Sequence, residues 1–299
     1  MVFKKLLGAL GIGAPSVDTV LHQPTAHPGA ALTGEVRITA GKQDITVEHV
    51  ALRFAAHVET VDGPVAVEFH RAEVSGPRRL SGGQQDVVPF EVVLPWTTPI
   101  STVHGMVLDG VTLGVHTELG ITGNSDATDL DPLAVEPLPA QLAVLDALGQ
   151  LGLQFHGTGV RPGGEQEPPT VQEIEFFPPP QFAGRLNDVW LAFTADADGL
   201  GVVLEADKRS GIPTPGGDDL GRFRVGHGET SSTDWIGRVQ DWLEQVAERR
   251  AGLGTAHGHL DGRGGSGIGG AVAGAALGAG AGLLGGMVLG EVLDEDDEF

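Results

Sequence analysis

Four places in this chain bring together residue types that can bind or react. His104 and His116 fall in one strand-rich region, where two imidazoles meeting across a hairpin would supply two nitrogen ligands to a metal. His257 and His259, with Asp261 close by, offer a second such set in a segment of linker composition. Asp196, Asp198 and Gly199 have the opening spacing of a calcium loop, but its later ligands and closing glutamate are missing, so a hairpin turn is expected. Gly280, Gly282 and Gly285 match the spacing of a dinucleotide loop, yet no strand precedes them and no βαβ unit surrounds them. There is no G-x-S-x-G, and no serine, histidine and aspartate are arranged as a triad. The residues nominate no reaction, no catalytic residue and no cofactor, and a hydrolase is the weakest reading.

Composition narrows the partners. The chain has 299 residues, room for two domains, and its 18 Lys and Arg against 40 Asp and Glu give a net charge of −22. That charge opposes nucleic acid and anionic headgroups alike, so partners held by charge should be basic. With no cysteine, thiol catalysis, disulfides and cysteine zinc sites are excluded. The 47 glycines and 19 prolines suit many short strands joined by turns.

The elements that must hold these residues are mostly strands. Val50, Leu52, Phe54, Ala56 and Val58 alternate with Ala51, Arg53, Ala55, His57 and Glu59, the period of a half-buried strand. Val65, Val67 and Phe69 repeat it after the turn signal Asp62-Gly63-Pro64, which predicts a hairpin. Runs at 84–94 and 102–122 complete a sandwich over residues 1–136. The charged and apolar start, Lys4 and Lys5 before Leu6 to Ile12, is read as a retained amphipathic turn, because its apolar run is short and broken by glycine.

Residues 129–156 interrupt this pattern. Pro132, Pro137 and Pro139 fix φ and remove donors, so no regular sheet is expected through them, and a helix can start only after the last. From Ala140, the side chains of Val144, Leu145, Leu148 and Leu151 fall within an arc of roughly 120°, the face of a docking helix between two β units. Strand periodicity resumes at Glu173–Phe177, Val189–Phe193 and Val202–Ala206, predicting a second sandwich over 137–228 that begins with that helix.

The period changes again near Ser232, with Ser232 or Thr233 as the expected N-cap of an amphipathic helix over 229–251. Trp235, Ile236, Val239, Trp242, Leu243 and Val246 share one face. That face either packs on a sandwich or, through Trp235, Val239, Trp242 and Val246, anchors a partner or a second copy of the chain. Residues 252–299 read as a linker and a glycine-spaced apolar tail with an acidic end. Gly270, Gly274, Gly278, Gly282, Gly286 and Gly290 recur every four residues in the uncharged stretch 264–290, the small-xxx-small pattern of helices that approach closely in lipid. Membrane association or homo-oligomerisation through 264–290 is one expectation, and a disordered tail the other.

Five separated segments also carry a family resemblance: MVFKKLLGALGIGAPSVDTVL at the start, LPWTTPIS at 94–101, HTELGITGNSDATDLDPLAVEP at 116–137, LDALGQLGLQFH at 145–156 and FAGRLNDVWLAFTADADGLGVVLEADKR at 182–209. Together, in this order, they resemble the sporulation-control protein family of the stage-zero M type. The resemblance implies an all-β chain of two arrestin-like antiparallel sandwiches in a cytoplasmic bacterial protein that influences sporulation or differentiation by binding other proteins. It supplies no catalytic residues, and it does not extend to the glycine-spaced tail. The resulting reading is a non-enzymatic scaffold or regulator, contacting other proteins and no nucleic acid, with a metal- or small-ligand-binding protein using His104 and His116 as the alternative.

Overall fold

The structure is a computed structural model that describes residues 13–60, 63–123, 127–164, 167–207 and 220–257. It is built of antiparallel sheets. The first unit has a three-stranded sheet in the order β1 (Ser16–Leu21), β3 (Ala31–Thr39), β7 (Gln85–Val93). Facing it is a six-stranded sheet: β2 (Thr25–Ala26), β11 (Ala127–Val135), β10 (Val111–Ile121), β4 (Ile45–Thr60) and β5 (Gly63–Ser75), with β6 (Arg78–Leu80) also on β4. A two-stranded ribbon, β8 (Thr102–Val103) and β9 (Met106–Val107), precedes β10. β2 pairs in parallel with the end of β11.

Alternation along β4 explains the core. Leu52, Phe54 and Ala56 are buried against Val36, Ile38 and Val88 of the small sheet, while Arg53 and His57 take the outer face. The anticipated hairpin is there as the β4–β5 pair, with Thr60 opposite Gly63, whose φ of 110° favours glycine.

One expectation fails at Pro132. β11 runs straight through it, with Pro132 opposite Gly114. β2 covers only Ala134 and Val135 on the other side of β11, so among the described residues no strand bonds the edge beside Pro132, the setting in which a strand tolerates proline. The helix does wait for Pro139: α1 (Pro139–Gln150) starts with that residue, and the Gln141 carboxamide accepts the Leu138 N–H at 2.8 Å. Ala140, Val144, Ala147 and Leu148 are its buried face. Gly152, at φ 88°, ends it, with the Leu153 N–H on the Leu148 carbonyl at 3.0 Å.

The second unit is a five-stranded meander, β12 (Gln154–Pro162), β13 (Thr170–Phe177), β14 (Val189–Ala195), β15 (Gly199–Ala206) and β16 (Leu220–Gly226). The Asp196–Gly199 stretch is the β14–β15 turn. The Asp196 carboxylate accepts the Asp198 and Gly199 N–H groups at 3.0 Å and the Arg224 guanidinium at 2.8 Å. Its oxygens are thereby occupied as a turn requires, and no calcium loop forms.

Helix α2 (Trp235–His257) lies on this sheet and touches α1. Its N-cap is Asp234 rather than Ser232 or Thr233: Asp234 Oδ1 accepts the Gly237 N–H at 2.9 Å, whereas the Thr233 hydroxyl turns back to the Glu229 carbonyl. The helix continues past Gly252 and Gly254 to His257.

Candidate protein-binding surface

The outer face of the six-stranded sheet is polar because of its register. Arg53 stands opposite His116 on β10 and Arg71 on β5, Ala51 opposite Glu118, and His57 opposite Thr112. Glu118 is the hub. It accepts from Arg71 at 3.2 Å, lies 3.4 Å from His49 Nε2, and is 3.9 Å from the Arg53 guanidinium. Burial alone would raise the Glu118 carboxyl, but the His49 hydrogen bond and the Arg71 and Arg53 charges outweigh it and hold it below the usual carboxylate range.

This network ends at the free edge of the sheet. β5 pairs with β4 and, among the described residues, with no strand on its other side. Along that edge the charged residues Glu68, Arg71 and Glu73 alternate through the second half, the arrangement that discourages strand addition. The first half, Pro64-Val65-Ala66-Val67, carries no charge, and Val65 is 49% exposed.

The edge strand of the second unit's sheet, β12, is already engaged. Thr158 on β12 donates its N–H to the Asp109 carbonyl at 3.2 Å, joining the two units, and a side chain at Gly110 would strike the Thr158 carbonyl. Two more contacts cross the same junction. His104 Nε2 lies 2.7 Å from the Asp146 carboxylate of α1, and the Trp96 ring stacks on His227 with centroids 5.1 Å apart.

The structure separates some of the residues nominated from sequence. His104 and His116 do not meet: His104 sits at the β8–β9 turn with φ 51° and pairs with Asp146, while His116 pairs with His57, Nε2 to Nε2, at 2.9 Å. Trp235, Val239, Trp242 and Val246 do come together, but in the interior. All four are at most 6% exposed, Trp235 meets Phe223 of β16 edge-on, and Trp242 covers Gly221. Their apolar area is consumed by the chain's own sheet, the first of the two alternatives expected for this helix face. Of that face only Ile236 is exposed. Gly270, Gly274, Gly278, Gly282, Gly286 and Gly290 lie outside the described residues, as do His259 and Asp261. His57, His49, Glu118 and Gln172 escaped sequence reading, because their roles depend on strand register that periodicity alone leaves open.

Known proteins with the same layout fix the family. The family model described as SpoOM protein (Spo0M) matches residues 3–210. The chain belongs to the Spo0M family. The sporulation-control protein spo0M of Bacillus subtilis (strain 168) is 30% identical over 258 residues, spanning 82% of this chain and 99% of that protein. The crystal structure of Spo0M from Bacillus subtilis superposes with a TM-score of 0.69 at 28% identity, over 79% of this chain and all of that one. The arrestin-like, all-β architecture is therefore a Spo0M property that this chain shares. Among its described residues no helix is long and apolar enough to cross a membrane.

Proposed function

We propose that this Spo0M-family protein is a non-enzymatic scaffold or regulator of sporulation or differentiation that acts by binding other proteins. The observation that carries this reading is the uncharged half of edge strand β5, where Val65 is half exposed beside unpaired backbone groups. An extended segment of a partner can add to such an edge, its main chain supplying the bonds and its side chains the selectivity. A net charge of −22 favours a basic partner and disfavours nucleic acid. The name of the Bacillus subtilis relative supports the developmental role.

The glycine-spaced segment 264–290 would add localisation or self-association to this scaffold. Cells carrying the full-length chain, or one ending at Gly262, can be fractionated and the membrane pellet washed with alkaline carbonate. Retention of only the full-length chain is expected if the segment anchors the protein. Equal release of both chains would end the anchor reading while leaving the β5 edge untouched.

For the edge itself, Val65→Lys places a charge where a partner strand would lie, at an exposed position where the fold loses little. The variant should keep the wild-type melting temperature and fail to complement a deletion strain. Full complementation by a folded Val65→Lys protein would refute the proposal.

A further inference from the structure

The most unusual side-chain pair in the molecule is one for which the family resemblance gives no role. His57 of β4 and His116 of β10 lie on the same face of the sheet, each two residues beyond the Ala55–Gly114 pair and on opposite sides of it. Ala55 and Gly114 have almost no side chain, so both rings can lean inward over the gap. The Gly114 position is 3.8 Å from His57 Nε2 even when a Cβ is placed on it, and that Cβ would press into the Leu130 methyl at 2.7 Å. The rings converge with their Nε2 atoms 2.9 Å apart, centroids 5.0 Å apart and planes inclined by 35°.

We propose that His57 and His116 form a binding site for a divalent transition metal ion of the zinc class, with solvent filling the remaining positions. Zinc–nitrogen bonds of about 2.0–2.1 Å at a tetrahedral angle place two ligand nitrogens roughly 3.3 Å apart, a few tenths of an ångström beyond the observed separation. The two Nε2 atoms already face each other, and rotation about the side-chain bonds would open the gap between them to admit the ion. His57 also borders a cavity of about 270 Å³, shared with Ser101, Thr102, Thr112 and Leu130, which gives bound water room on one side.

The surrounding charges permit a cation. Arg53, opposite His116, is an adverse neighbour, and its guanidinium lies 3.9 Å from both Glu68 and Glu118, which offset it. Among the described residues no group of three His, Asp or Glu side chains converges to hold a metal. The site therefore has two protein ligands, and its preference should follow nitrogen donors: copper(II) above zinc, with magnesium and calcium excluded.

The test uses the untagged full-length chain. Calorimetric titration with zinc chloride at pH 7.5 in a non-coordinating buffer should give one saturable event. His57→Gln and His116→Gln should each weaken it by at least about tenfold, the loss that removal of even an outer-shell partner can cause. His104→Gln and the double variant H257Q/H259Q should leave it unchanged. Electron paramagnetic resonance of the copper(II) form, which needs no variant, should show two imidazole nitrogens. Absence of zinc binding, retention of it in folded H57Q and H116Q, equal binding of magnesium, or a copper spectrum without two nitrogens would each overturn the proposal and leave a hydrogen bond between the two rings.

Discussion

Gln172 on β13 bonds to both backbone groups of Ile100: its Oε1 accepts the Ile100 N–H at 2.8 Å and its Nε2 donates to the Ile100 carbonyl at 2.7 Å. The carboxamide thus stands in for a strand partner and ties the second unit to the segment ahead of the β8–β9 ribbon. Ile100 is fully buried, so water cannot easily replace these bonds. Gln172→Ala should cost about 1–3 kcal/mol, because two buried backbone groups lose their partners. Urea unfolding followed by fluorescence checks this, and the loss should come with earlier proteolytic cleavage between the units.

Asp131 gives the fold a dependence on pH. It lies opposite Val115, beside Asp129, whose carboxylate accepts the Thr19 N–H at 2.8 Å. Burial, then the charge and hydrogen bond of Asp129 and the charge of Asp18, push the Asp131 carboxyl up to about 7. In the unfolded chain it ionises near 3.8. Between those values the folded state holds a proton that the unfolded state has released, so this group's contribution to stability falls as pH rises from about 4 to about 7. Asp131→Asn mimics the protonated form. Its melting temperature should exceed that of the wild type by a margin that is smallest at the acid end, widens up to about pH 7 and is constant above it.

Helix α2 packs its tryptophan face on its own sheet. Trp242 lies over Gly221 so closely that a Cβ there would be 2.8 Å from the indole. Gly221→Ala should cost about 1–3 kcal/mol through overpacking, and Trp242→Ala about 3–5 kcal/mol through the cavity it leaves. Both losses should be independent of protein concentration in thermal melts. A tryptophan face shared between two copies would instead make the melting temperature rise with concentration.

The cap of the same helix is a smaller test. Asp234→Ala removes the acceptor of the Gly237 N–H and should cost about 1 kcal/mol, while Thr233→Ala, whose hydroxyl bonds only to the Glu229 carbonyl, should cost less.

Local pattern carried much of the architecture. The period-two run at Val50–Glu59, the β4–β5 hairpin, the helix at Pro139 and the buried face of α2 are all short-range signals, and each stands in the structure. What escaped depends on which strands lie side by side. His104 and His116 share a region of sequence but belong to different contacts, because only register puts His57 across the gap above Gly114. Pro132 sits within a strand because the edge beside it is unpaired, a fact of topology that the residue itself does not announce. Glu118 becomes a hub only once β4, β5 and β10 are aligned. Nothing in one strand's periodicity contains these pairings.

The most direct test of partner binding at the β5 edge is site-specific photo-crosslinking. A photoreactive residue is placed at Val65 in a chain that still complements a deletion strain, and at Val93, an exposed position on β7, as the comparison. Cells entering sporulation or differentiation are irradiated. A discrete adduct with another protein is expected from position 65 and not from position 93, lost when the neighbouring Ala66 is changed to proline to block strand addition. A fully functional protein that yields no adduct from position 65, or the same adduct from both positions, would contradict it.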